Sequence, residues 1–161
     1  MPTPRRFDFD GAAPDAPRAV SALDACAAGL GLPPALAALV RLRTSQLNGC
    51  AYCVDLHARE ARRHGESEAR VAAVADWRAG AQFTPRERAA LGWAETLTRL
   101  GDRAWTPEAQ AELREHADAR EAAALTIAVV AINAWNRLVL AQGRVAVALA
   151  ALVLAACRPA E

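Results

Sequence analysis

From Ser21 onward, apolar residues return at three- and four-residue intervals, the period of a half-buried helix, and Gly and Pro punctuate them. The first predicted helix runs from Ser21 to Leu30 and stops at Gly31. Pro33-Pro34 opens a second, with Leu36, Leu39, Val40, Arg43 and Leu47, which stops near Asn48-Gly49. Asn48 is read as the N-cap of a third helix, Cys50 to His64, closed by Gly65. Ser67 caps a short fourth helix reaching Trp77. Thr84-Pro85-Arg86-Glu87 combines an N-cap, a proline at the first helical position and a glutamate at the third, and so starts a fifth helix to Leu100. Thr106-Pro107-Glu108 repeats that signal for a sixth, and a long seventh spans about Arg120 to Gln142. The apolar run Ile127-Ala128-Val129-Val130 sits in this helical frame, so no strand is expected.

The two ends differ from this pattern. Residues 1–17 carry four prolines and Gly11, and residues 1–20 are read as an arm before a single domain over 21–161. Val145 to Cys157 is apolar throughout. Such a segment reaches only about 20 Å as a helix against a hydrocarbon core of about 30 Å, so it is read as a subunit interface and not as a membrane span. Composition adds little. The formal net charge of +1 gives no field toward nucleic acid or membrane, and every basic residue except the three His is Arg. Met1 to Gly11 is polar, with Arg5, Arg6, Asp8 and Asp10, so no secretory leader is expected and the cytoplasm is the expected compartment. Of the four cysteines, Cys26 and Cys157 lie in Ala-rich context and read as small buried side chains.

Chemistry concentrates in Cys50-Ala51-Tyr52-Cys53-Val54-Asp55-Leu56-His57. On a helix, Cys50, Cys53, Val54, His57, Ala58 and Ala61 share one face, while Asp55, Arg59, Arg62 and Arg63 take the other. Two thiols three residues apart can close into a disulfide, and an imidazole one turn on can move their protons. Which thiol is the more reactive stays open. Cys50 lies nearest the helix N-terminus, whose partial positive charge favours a thiolate, whereas Cys53 is one turn before His57. Alternatives are zinc, with His64, His116, Cys26 or Cys157 completing the ligands, and an inert buried pair. A c-type haem would need a histidine where Val54 stands. No metal or cofactor is expected.

The segment from Leu39 to His57 resembles the signature of the alkylhydroperoxidase AhpD-like group within the carboxymuconolactone decarboxylase family. Phe83 to Leu91 and Ile132 to Leu138 resemble that group's later segments, in the same order. The resemblance implies an all-α, AhpD-like domain of seven or eight helices that assembles as a homo-oligomer, a trimer or hexamer. It implies a thiol peroxidase, with a hydroperoxide as substrate and an external dithiol or thiol protein as reductant. It assigns Cys53 as the peroxidatic thiol, Cys50 as the resolving thiol that meets the reductant, and His57 as the relay histidine. A redox-sensing or structural oligomer of the same fold is the other reading.

The chain departs from the family pattern at one point. A glutamate is expected twelve residues before the first cysteine to complete a Glu–His–Cys relay, and Ala38 stands there. Glu95 is the substitute the sequence suggests, against the plainer reading of an exposed Glu95–Arg99 pair. Glu60, three residues past His57, is read as facing solvent. Asn133 and Asn136 either line the site or fasten their helix to its neighbours. Arg43 either lowers a thiol pKa or pairs with a carboxylate at the surface.

Overall fold

The computed structural model describes residues 9–101 and 106–143. Eight α-helices and no strand occur among them: α1 (Phe9–Ala12), α2 (Ala16–Gly29), α3 (Pro34–Leu47), α4 (Ala51–Arg63), α5 (Glu68–Ala73), α6 (Pro85–Thr98), α7 (Pro107–His116) and α8 (Ala119–Ala141), with a 3-10 turn at Val74–Asp76. The protein is therefore all-α.

The start signals read from the sequence act as expected. Thr84 and Glu87 form a reciprocal capping box on α6. Ser67 and Thr106 accept backbone amides at the starts of α5 and α7, and Asp118, which the sequence reading did not single out, does the same for α8. Two boundaries differ. The helix expected from Ser21 already begins at Ala16, with Pro17 in its first turn, where its missing N–H costs no hydrogen bond. Asn48 is the C-cap of α3, and Cys50 is the N-cap residue of α4. Gly49 between them has φ +65°, a left-handed turn that a side chain would strain. Cys26 on α2 is exposed, contrary to expectation, because Ala27 takes the inward position beside it. Cys157 and the apolar segment 145–157 lie outside the described residues.

Helix α3 is buried on two sides and joins two cores. Leu36, Ala37 and Val40 pack with Trp93, Leu113, Leu125 and Val129 from α6, α7 and α8. Ala38, Leu39 and Leu42 pack with Ala61, Val71, Val74, Trp77, Phe83 and Leu91. Each large apolar side chain so enclosed contributes about 1.5–3 kcal/mol. Helix α8 is long and apolar enough to cross a bilayer, but its Ala124, Leu125, Ala128, Val129, Ala131 and Ile132 are buried in this protein. It is the helix against which α2, α3 and α6 all pack.

Candidate active site

The α3–α4 turn brings the thiols to α8. The Asn48 side-chain amide donates to Asn133 Oδ1 (3.0 Å) and Asn136 Oδ1 (2.8 Å). Asn136, fully buried, donates in turn to Ser45 Oγ (3.1 Å), and Asn133 donates to Thr98 Oγ1 (3.1 Å). The Cys50 amide donates to the Ser45 carbonyl at 3.1 Å. Each buried amide group here has a partner, so the cluster fixes the turn to α3 and α8. Asn133 and Asn136 therefore fasten helices, and neither lines the cavity beside the thiols.

Cys50 and Cys53 are joined as a disulfide with Cα atoms 5.3 Å apart. Cys53 and His57 line a cavity of about 480 Å³ between α2, α3, α4 and α8. Its apolar wall is Tyr52, Leu56, Ile132, Trp135 and Val139, and its polar wall adds Asp24, Arg41, Glu60 and Arg63. Cys50 is fully enclosed and packs beside Val139 without lining the cavity. The sequence placed both thiols and His57 on one face, and the structure brings all three together. Both sulfurs are buried beside Val139 of α8, and of the two residues Cys53 alone lines the cavity.

A carboxylate holds His57, and it is Glu60. Glu60 Oε2 lies 2.7 Å from His57 Nδ1. The other oxygen, Oε1, accepts from Arg41 Nη1 at 3.3 Å, and Arg41 Nη2 reaches Asp24 Oδ1 at 3.0 Å. Asp24 Oδ2 accepts from the Trp135 indole at 2.8 Å. The result is one chain of polar contacts from His57 across α3 and α2 to α8. The hydrogen bond with His57, aided by the positive field of Arg41, holds the Glu60 carboxyl below its usual range against the opposing effect of burial. The expectation that Glu60 faces solvent is thus corrected. One turn of helix separates it from His57, and Arg41 on the neighbouring helix draws it inward. The i, i+3 spacing signalled the His57–Glu60 contact, whereas Asp24, Arg41 and Trp135 had no signal in the sequence.

Glu95 is neither exposed nor near His57. It is buried, with Arg43 Nη2 at 2.6 Å, the Trp77 indole at 2.9 Å and Arg78 beside it. Burial alone would raise its carboxyl, but the hydrogen bonds from Trp77, Arg78 and Arg43 outweigh it and hold the group low. Arg43 is committed to this ion pair and to the Ala75 carbonyl (2.8 Å), away from both thiols. Ala38 is fully enclosed in the core between α3, α5 and α6. Among the described residues, no group of three or more His, Cys, Asp or Glu is arranged to hold a metal ion.

The sequence model of the carboxymuconolactone decarboxylase family matches residues 14–96. The uncharacterized protein YdfG of Bacillus subtilis (strain 168) is 36% identical over 105 residues, covering 65% of this chain and 71% of YdfG. A solved Agrobacterium tumefaciens protein of unknown function, provisionally described as the antioxidant defence protein AhpD, is 35% identical with a TM-score of 0.83, over 89% of this chain and 99% of that one. The debrominase Bmp8 shares the fold at 22% identity, with a TM-score of 0.76 over 88% of this chain and 76% of its own. Family match, close relative and superposed backbone agree: the chain belongs to the carboxymuconolactone decarboxylase family, with an AhpD-like all-helical fold.

Proposed function

We propose that this protein is a thiol-dependent peroxidase that reduces hydroperoxides through Cys53, Cys50 and His57. The observation that carries this reading is that Cys53 and His57, one turn apart on α4, open into one cavity while the partner sulfur of Cys50 lies directly behind. His57 takes the Cys53 proton. The Cys53 thiolate attacks the outer peroxide oxygen, the O–O bond breaks, and the alkoxide leaves with a proton from His57 as the alcohol. The Cys50 thiolate then attacks the Cys53 sulfenic acid, water leaves, and the disulfide forms. An external dithiol restores both thiols.

Glu60 takes the place of the missing family glutamate in this scheme. Its carboxylate accepts a hydrogen bond from His57 Nδ1–H, which leaves Nε2 free to exchange a proton with the thiol. The apolar wall suits the organic part of a hydroperoxide, and Arg41 balances the charge on Glu60. Homo-oligomeric assembly, a thiol-protein reductant and a cytoplasmic setting come with the family resemblance and belong to the same proposal.

The test is thiol counting after an organic hydroperoxide is added to the reduced protein. The expected result is loss of two thiols per chain within seconds, abolished by Cys53→Ser. Wild-type peroxide turnover in Cys53→Ser, or no thiol loss in the unmodified protein, overturns the reading.

A further inference from the structure

We infer that Asp24 on α2 is a positioning residue for the site: it holds the Arg41 guanidinium so that Glu60 stays on His57. This rests on the peroxidase reading and adds to it a group from a helix outside the thiol motif. Asp24 lines the same cavity as Cys53 and His57. Its Oδ1 accepts from Arg41 Nη2 at 3.0 Å, and Arg41 Nη1 reaches Glu60 Oε1 at 3.3 Å. The guanidinium is thus split between two carboxylates, with the shorter arm on Asp24.

An arginine meets one carboxylate best through two parallel N–H bonds, one to each oxygen. Arg41 makes no such pair with either partner. If Nη2 were released, the same fork would close on Glu60 and claim both of its oxygens. One of these is Oε2, which lies 2.7 Å from His57 Nδ1. Asp24 therefore reserves Oε2 for the imidazole. Asp24 is itself fixed from α8, because its Oδ2 accepts from the Trp135 indole at 2.8 Å.

Charge points the same way. One guanidinium faces two carboxylates, so the three side chains together carry a single negative charge. That charge is offset when His57 takes the thiol proton. On α4, His64 also acts on Glu60 and Arg63 lines the cavity, whereas α8 adds only uncharged side chains to its wall. Asp24 and Arg41 are both partly enclosed, where charges act on one another more strongly than in open water. An ion pair that only fastened α2 to α3 would use the same atoms, but it would not set the state of the imidazole, and this difference is measurable.

The test uses the full chain in its disulfide form with isotope-labelled histidine, its ring nitrogens read by NMR at alkaline pH, where imidazole is neutral. The His57 signals are identified by their loss in His57→Gln. The unmodified protein is expected to hold His57 mainly as the Nδ1–H tautomer. Asp24→Asn keeps the side chain's size and is expected to lower the ratio of Nδ1–H to Nε2–H by about fivefold or more, the scale of a charge-assisted hydrogen bond, with Asp24→Glu restoring part of it. In an Arg41→Gln background, adding Asp24→Asn is expected to leave the ratio unchanged, since no guanidinium remains to swing onto Glu60. A ratio within about twofold of the unmodified value in folded Asp24→Asn overturns the inference, and so does an equal fall with and without Arg41. Oxidation of the reduced Asp24→Asn protein by an organic hydroperoxide is expected to slow roughly tenfold, and an unchanged rate overturns the role in catalysis. The ring spectra use no peroxide. An unmodified protein that fails to oxidise sinks the peroxidase reading, while the tautomer ratios still decide whether Asp24 positions Glu60.

Discussion

Glu60→Gln isolates the part of the site that the sequence assigned to solvent. The substitution keeps the side chain's size and its reach to Arg41, but removes the charge beside His57. The Glu60–His57 contact is 2.7 Å, and a hydrogen bond to a charged group contributes about 1.5–3 kcal/mol. If that interaction is made fully only as His57 takes the thiol proton, its loss slows thiol oxidation by about ten- to a hundredfold at about 1.4 kcal/mol per tenfold. The Glu60 side chain is 25% exposed, so water screens part of the effect and the lower end, about tenfold, is expected. A second effect adds to it. The glutamine amide can donate to Nδ1, which would put the proton on Nε2 and leave no acceptor toward the thiol. The assay is stopped-flow disulfide formation with excess organic hydroperoxide between pH 5 and 9, with thermal unfolding as a control for the fold. The pH profile is expected to change with the rate, and Glu60→Asp is expected to recover part of it. A rate within about twofold of the unmodified protein, in a folded variant with an unchanged pH profile, refutes the relay role of Glu60; that margin is small against a charge-assisted hydrogen bond.

Three further outcomes follow from the packing. Glu95→Gln is expected to destabilise the fold by about 3 kcal/mol in urea unfolding, since it strands the Arg43 guanidinium among buried groups, and to leave the rate of thiol oxidation unchanged in the folded protein; a slowed rate with normal stability would return Glu95 to the site. Asn136→Ala leaves Asn48 and Ser45 each short of a buried partner and is expected to cost about 1–3 kcal/mol, read from the same denaturation curves, whereas a change under about 0.5 kcal/mol would mean the cluster does not hold the turn. Stability is expected to fall in acid: Glu60 and Glu95 both sit below the ordinary glutamate value of about 4.3, so their contribution is complete above that pH and is lost as pH falls through the lowered values. A denaturation midpoint for Glu95→Gln that drops with acid as steeply as the unmodified protein's would show that Glu95 has no part in this.

The helices, their start signals and the sharing of one face by Cys50, Cys53 and His57 were set by local sequence. Capping, proline placement and 3.6-residue periodicity act over a single turn, so Thr84, Ser67, Thr106 and the C-x-x-C-x-x-x-H spacing could be read without any tertiary contact. Long-range packing decided the rest. Asn48 reads as an N-cap in its own segment, yet Asn133 and Asn136 lie 85 and 88 residues away and claim its amide. Glu60 reads as solvated until Arg41, nineteen residues earlier on α3, sets a charge beside it. Glu95 reads as exposed until Arg43 and Trp77 enclose it. The sequence also leaves the two thiols tied, because one helix turn does not say which sulfur will face a cavity. The docking of α8 places Ile132, Trp135 and Val139 along the wall of the cavity that Cys53, though buried, lines, while Cys50 packs beside Val139 without lining it. Burial and partnership are properties of the surface a helix packs against, and that surface is built from residues far away in the chain.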